Sequence, residues 1–472
     1  MWNIPIYNSI KEYIQTNPVS FHMPGHKMGK GIPPELLERI AQLDLTEIPG
    51  TDNLHSPSGA IKEAQELAAR AFGADKTYFL VNGSTCGIQA MIMTICRPGD
   101  KLIVARDCHK SVISGIMFAG AQPIYIKPLF DSSFGIPTVT SVSCVKKAIE
   151  ENPDAVGVLI TRPGYYGTCS DIQQLADIIH SYGKILAVDE AHGAHLKFCS
   201  RLPVCAMDAG ADICVQSTHK TLPAFTQGAM LHVRSGLIDM DKLEFNLNML
   251  QTSSPSYIIM SYLDIAREIM EYQGESLLEG LLENIKWFKS LTGRPGNILF
   301  LTGSDIREGE IDDTRIVVNM RALGVTGFQA EKMLRQKHNI QVEMSDFHNI
   351  VCIATVADRK EDFEKLHLAL AELTLDFREI PPLTDTHVKD LGIPLQSLEI
   401  KDVMRAEGIK IPLESAVGRT SKTMLTPYPP GIPLICPGEI ISKEVVEYIY
   451  DIVKSGGTVN GMRMNFEVSV VK

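Results

Sequence analysis

Seven short stretches of the chain are apolar at almost every position: TYFLV (77–81), KLIVA (101–105), PIYIK (123–127), AVGVLI (155–160), KILAV (184–188), DICVQ (212–216) and GAMLHV (228–233). Runs of this length with no polar alternation are the mark of strands covered on both faces. Segments with helical spacing lie between them, including AIKEAQELAARAF (60–72), SVISGIMFAG (111–120) and DIQQLADIIHSYG (171–183). Such alternation predicts a doubly wound α/β domain built on a mostly parallel sheet. Residues 1–60 are rich in turn formers, as in PGHKMGKGIPP and EIPGTDNLHSPSG, and predict an arm with loops. We place the large domain at 61–291, closing on a long connecting helix over 257–291. A smaller C-terminal α/β domain takes 292–472, with strands at 315–320 and 350–356 and helices at 327–337 and 360–373. TPYPPGIPLICPGE (426–439) carries too much proline for regular structure and predicts a shaped loop.

Composition narrows the function without choosing it. The 472 residues are 44% hydrophobic and 21% charged, which excludes global disorder. A net charge of −11 argues against a nucleic-acid protein working through a broad basic face, and suits cationic or neutral substrates. No apolar run is long enough to span a bilayer, and the first residues lack the layout of a signal peptide. Ten cysteines occur with no CxxC pair, so a zinc ribbon or thioredoxin-like site is not expected. These features together predict a cytoplasmic protein with no metal and no membrane partner.

Chemistry gathers at four strand ends. STHK (217–220) places Lys220 just beyond DICVQ, at the carboxyl edge where open α/β sheets bind ligands, and a lysine whose pKa falls on burial suits Schiff-base formation. AVDEAHGAH (187–195) places Asp189 at the end of the preceding strand, where a buried carboxylate requires a cationic partner such as a protonated pyridine nitrogen. NGSTCG (82–87) puts Ser84 and Thr85 at the start of a helix, a natural anion site. RDCHKS (106–111) places His109 where it can stack on a flat cofactor. Read singly, each motif has a plainer reading: a surface lysine, a capped helix, a loop histidine. DEAH also resembles the box of nucleotide-hydrolysing helicases, but the chain has no GxxxxGK[ST] loop, and His192 with His195 lacks further ligands for a metal. Taken jointly, a phosphate cup, a stacking group, a carboxylate and a lysine are the contacts of pyridoxal 5′-phosphate.

The chain resembles the fold-type-I (aspartate-aminotransferase-like) pyridoxal-phosphate enzymes of the ornithine/lysine/arginine decarboxylase family, in a short form without the N-terminal receiver-like wing. The segments carrying the resemblance run almost end to end: FHMPGHKMG, GTDNLHSPSGAI, FGADKTYFLVNGSTCG, RDCHKS, DEAHGAH, STHKTLPAFTQGAML, TSSPSYIIMSYLD and ESAVGRTSKTMLTPYPPGIPLICPGE. The resemblance implies that Lys220 binds the cofactor covalently, Asp189 pairs with the pyridine nitrogen, His109 stacks on the ring, and Ser84, Thr85 and Ser217 hold the phosphate. It also implies a homodimer or higher oligomer, with Ser253 of TSSPSY reaching the phosphate of the neighbouring subunit. Where larger members carry tryptophan after DSA, this chain has His192 beside the ring.

The implied reaction is decarboxylation of a basic amino acid in polyamine metabolism, arginine to agmatine first, with lysine or ornithine as the alternative. An aminotransferase and a catalytically silent pyridoxal-phosphate protein are the competing readings. Either Lys220 or His219 returns a proton to Cα, and His219 could equally only brace Lys220. Glu47, Asp52 and Glu414 are candidates for the cationic end of the substrate, with turn and capping roles as their plain alternative. Arg419 is a candidate for the substrate carboxylate or for tying down the 426–439 loop.

Overall fold

A computed structural model describes residues 3–234, 236–292, 298–383, 390–428 and 431–472; Pro429 and Pro430 of the proline-rich segment lie outside the described residues. Each of the seven apolar runs forms a strand: β1 (Lys76–Leu80), β2 (Lys101–Ala105), β3 (Gln122–Ile126), β4 (Gly157–Thr161), β5 (Ile185–Asp189), β6 (Ile213–Gln216) and β7 (Ala229–Val233). They make one sheet in the order β1-β7-β6-β5-β4-β2-β3, parallel throughout except for β7, which runs antiparallel to both neighbours. Two separate apolar clusters cover the faces of this sheet, which is why its strands tolerate so few polar positions. The parallel strands all end on the same edge, so that edge collects the residues that follow β2, β5 and β6.

Four helices precede or connect the first strands. Helix α1 spans Pro5–Gln15, α2 Ala60–Phe72, α3 Gly83–Ile95 and α4 Lys110–Ala119. At the start of α3, Gly83 has φ +77°, a left-handed conformation that lets the chain turn from β1 into the helix with only Val81 and Asn82 between them. Helix α1 lies in a stretch that the sequence reading leaves irregular. Pro5 at its first position and apolar residues at 6, 7, 10, 13 and 14 give it an amphipathic face, yet no residue of it is buried.

The long helix Tyr257–Thr292 leads to a second block. Its four-stranded sheet runs Leu299–Phe300, Arg315–Asn319, Asn349–Ile353 and Met344–Ser345, backed by helices Gly327–His338 and Lys360–Asp376. The strand Ile340–Val342 pairs in parallel with Val19–Phe21, tying the N-terminal segment to this block beside the edge of the large sheet. All ten cysteines are free thiols. Among the described residues no helix is long and apolar enough to cross a membrane, and no cluster of His, Cys, Asp and Glu could hold a metal.

Candidate active site

A cavity of about 610 Å³ opens at the carboxyl edge of the sheet, lined by Ser84, Thr85, His109, His192, Ser217, His219 and Lys220 together with Tyr165, Glu343 and Tyr428. Asp189 lies beneath it, 1% exposed. The structure thus gathers every residue of the motif reading except Ser253, which is exposed on the loop before the long helix and does not line the cavity.

The amine and the carboxylate come from neighbouring strands, since β5 and β6 run side by side with Val215 opposite Asp189. Lys220 sits in the one-turn helix Thr218–Thr221 that follows β6. Burial pulls its pKa down to about 8, against the attraction of Asp189 and Glu343. Burial pushes the Asp189 carboxyl up to about 6, against the attraction of Lys220 and a single 3.1 Å hydrogen bond from the Ala191 N–H. Each group therefore resists its charge in the absence of a partner.

Three histidines surround the amine, and their hydrogen bonds fix their tautomers. His109 caps α4: its Nδ1 accepts from the Ser111 N–H at 3.2 Å and lies 2.8 Å from the Ser111 hydroxyl, so the hydrogen resides on Nε2. Burial and the nearby Lys220 bring its pKa to about 3, leaving a neutral, flat ring. The Nδ1 of His219 is 2.8 Å from the Gly228 carbonyl, which can only accept, so Nδ1 carries the hydrogen. Burial lowers its pKa to about 4. His192 stands between Lys220, 3.1 Å from Nε2, and Arg315, whose Nη2 donates to Nδ1 at 2.5 Å. A guanidinium can only donate, so Nδ1 of His192 accepts and the neutral ring carries its hydrogen on Nε2, on the side of the amine.

The fit to pyridoxal phosphate is good on each count. A carboxylate with one hydrogen bond lacks a cation, a neutral imidazole offers a stacking face, and a buried amine is poised as a nucleophile. The Ser217 hydroxyl donates to Ser84 Oγ at 2.7 Å beside the free N–H groups at the start of α3, a ready receptor for a phosphate.

The remaining candidates lie elsewhere. Asp52 is held by its own loop: despite the cost of burial, N–H donors from Ser58, Asn53, Gly59 and Lys62 bring its carboxyl to about 2. Glu47 accepts from Thr46, and Glu414 from the Tyr450 hydroxyl. Arg419 donates to the Val471 carbonyl. The proline-rich segment is anchored instead by Arg106, which pairs with Glu439 at 2.9 Å and donates to the carbonyls of Pro433 and Leu434. Tyr165, Arg315 and Glu343 escaped the motif reading. Arg315 and Glu343 come from the part of the second block that precedes its one family segment, which begins at Glu414.

Comparison with known proteins decides the family. Residues 4–310 match the model of the Orn/Lys/Arg decarboxylase major domain, and residues 397–467 match that of the C-terminal domain. The chain belongs to the Orn/Lys/Arg decarboxylase family. It is an amino-acid decarboxylase, and pyridoxal 5′-phosphate is the cofactor that goes with this family and fold. It is 39% identical to proteins named arginine decarboxylase from Bacillus anthracis (over 98% of this chain and 95% of the relative) and Bacillus subtilis strain 168 (97% and 95%). The solved structure of lysine decarboxylase A from Pseudomonas aeruginosa shares the fold with a TM-score of 0.78 and 21% identity, covering 98% of this chain and 79% of that one.

Proposed function

We propose that this decarboxylase converts arginine to agmatine, with Lys220 holding pyridoxal phosphate covalently over Asp189. The observation that carries the site assignment is the setting of Lys220: a buried amine drawn down to about 8, within the field of a buried carboxylate that has one hydrogen bond, and 3.1 Å from Nε2 of His192. The 39% identity with two arginine decarboxylases over nearly the full chain supports arginine as the substrate.

Pyridoxal phosphate, when bound, supplies an electron-accepting ring for the pair left by the departing carboxylate. The residues of the chain make that possible. Asp189 would pair with a protonated ring nitrogen, the cation that suits its burial. His109 covers one face of the ring as a neutral imidazole. Ser84, Thr85, Ser217 and the first N–H groups of α3 hold the phosphate. Orienting the substrate for loss of its carboxylate would fall to the walls of the cavity, as a matter of positioning. Lys220, buried and drawn down to about 8, would be the group that holds the proton destined for Cα. His219 is a brace in this account: its hydrogen is committed to the Gly228 carbonyl, and at neutral pH the ring has no second proton to give.

The second copy is part of the proposal. Helix α1 leaves Ile6, Tyr7, Ile10 and Ile14 exposed, and Ser253 lies outside the cavity of its own chain, as a homodimer with shared sites requires. A cytoplasmic location accords with buried free thiols. The deciding experiment supplies arginine, lysine and ornithine separately and measures carbon dioxide with identification of the amine. Agmatine from arginine is expected. Release of carbon dioxide from lysine alone would replace the substrate, and an oxoacid product would replace the reaction.

A further inference from the structure

Glu343 is the one acidic side chain among the residues lining the cavity. It sits between the strands Ile340–Val342 and Met344–Ser345. Alternate residues of extended chain share a face, and here Gln341 and Glu343 are half-buried while Ile340, Val342 and Met344 are buried, Val342 and Met344 also bordering the cavity. Oε2 of Glu343 accepts the Met23 N–H at 2.9 Å. Oε1 accepts no hydrogen bond among the described residues, and the carboxylate forms no ion pair among them.

The buried cation of the neighbouring loop does not need this carboxylate. Lys27 donates to the carbonyls of His22 and Ile353 at 2.9 and 2.8 Å and pairs with Asp358 at 3.7 Å. Gln341 spends its amide N–H on the Val342 carbonyl at 3.1 Å, which leaves its side-chain carbonyl as an acceptor. One wall of the cavity therefore presents a carboxylate oxygen and an amide oxygen, both unspent, in a site whose other charged side chain is Lys220.

We propose that Glu343, with the side-chain carbonyl of Gln341, receives the guanidinium of the substrate. This rests on the reading of the protein as an arginine decarboxylase. The substrate amine at Cα is committed to the cofactor, so a second cation entering the cavity must be met by the wall, and an unpaired guanidinium there would be prohibitive. A planar fork of N–H donors matches two oxygens carried on one strand face better than a point-charge ammonium does.

The test uses the cofactor-loaded protein and Glu343→Gln, which keeps the shape and an acceptor for the Met23 N–H. We expect KM for arginine and the calorimetric Kd for agmatine to rise about 10- to 100-fold, the range of a hydrogen-bonded charge. The absorbance of the bound cofactor should stay as in the wild type, which separates a substrate contact from a damaged site. Glu343→Asp should recover part of the agmatine affinity, and Gln341→Leu should weaken it by a smaller factor, about threefold to tenfold. Agmatine and arginine binding within twofold of wild type in Glu343→Gln overturns the proposal while the decarboxylase reading stands. A wild-type protein that releases carbon dioxide from none of the three basic amino acids overturns both.

Discussion

Asp189 and Glu190 are consecutive carboxylates, both shut off from water at 1% and 0% exposure, and the fold treats them in opposite ways. Successive side chains at a strand end leave on opposite faces, so one meets the cavity and the other meets the core. Glu190 accepts the Ala206 N–H at 2.8 Å and the Gln216 amide at 2.7 Å, lies 3.4 Å from the Cys214 thiol, and has the Arg162 guanidinium 3.9 Å away. Asp189 has the Ala191 N–H and the distant Lys220. A buried acid whose oxygens are all spoken for holds the fold together; one left short of partners waits for a ligand.

The sharpest break in that comparison comes from the amine facing Asp189. Lys220→Ala should lose turnover by about 10³-fold or more and lose the covalently held cofactor, read as loss of the yellow colour that survives gel filtration in the wild type. Asp189→Asn comes next, with turnover down by about 10²- to 10³-fold. Its cofactor-free form should be no less stable than wild type at neutral pH, because the substitution removes an underpaired buried charge. Glu190→Gln should do the reverse. It leaves Arg162 without its carboxylate and costs about 3–5 kcal/mol in urea unfolding, while the molecules that remain folded keep near-normal turnover.

A pH series sharpens the same contrast. The Asp189 carboxyl titrates near 6 in the folded protein, against about 3.9 when unfolded. Between those values the folded state binds the extra proton, so stability falls as pH rises through this window, by up to about 3 kcal/mol above pH 6. Urea unfolding of the cofactor-free protein from pH 4 to 7, with Asp189→Asn subtracted, should isolate that slope. A wild type and variant with parallel curves would show that Asp189 is paired after all. The smallest effect is expected at the phosphate receptor. Ser217→Ala removes one donor of several and should weaken cofactor binding about fivefold, seen in a titration of the colourless protein.

The sequence made the large sheet and most of the cavity legible for one reason: β2, β5 and β6 are short runs with hardly a polar residue, and the chemistry stands at or just after the end of each in RDCHKS, DEAH and STHK. Periodicity also placed two strands and two helices of the second block, and left the helix Lys443–Lys454 and the strands Gly408–Pro412 and Glu467–Val471 unmarked. It could not show which carboxylates of that block or of the arm reach the site. Asp52 and Glu414 stood out within family segments, yet Asp52 closes its own loop through backbone donors and Glu414 meets Tyr450. Glu343 lies in QVEMS, an ordinary strand pattern, and reaches the cavity only because Ile340–Val342 pairs with Val19–Phe21 across more than three hundred residues. Arg315 is invisible for the same reason: its contact with His192 joins a strand of the second block to the turn after β5. DEAH shows an acidic pair, but only the count of partners in the folded chain tells the two acids apart.

The attachment of the cofactor can be measured directly. Wild-type protein loaded with pyridoxal phosphate, reduced with borohydride and mapped by peptide mass, should carry the pyridoxyl group on Lys220, with none on the Lys220→Ala variant. A label on another lysine, or an unlabelled protein that still releases carbon dioxide from arginine, would contradict the account.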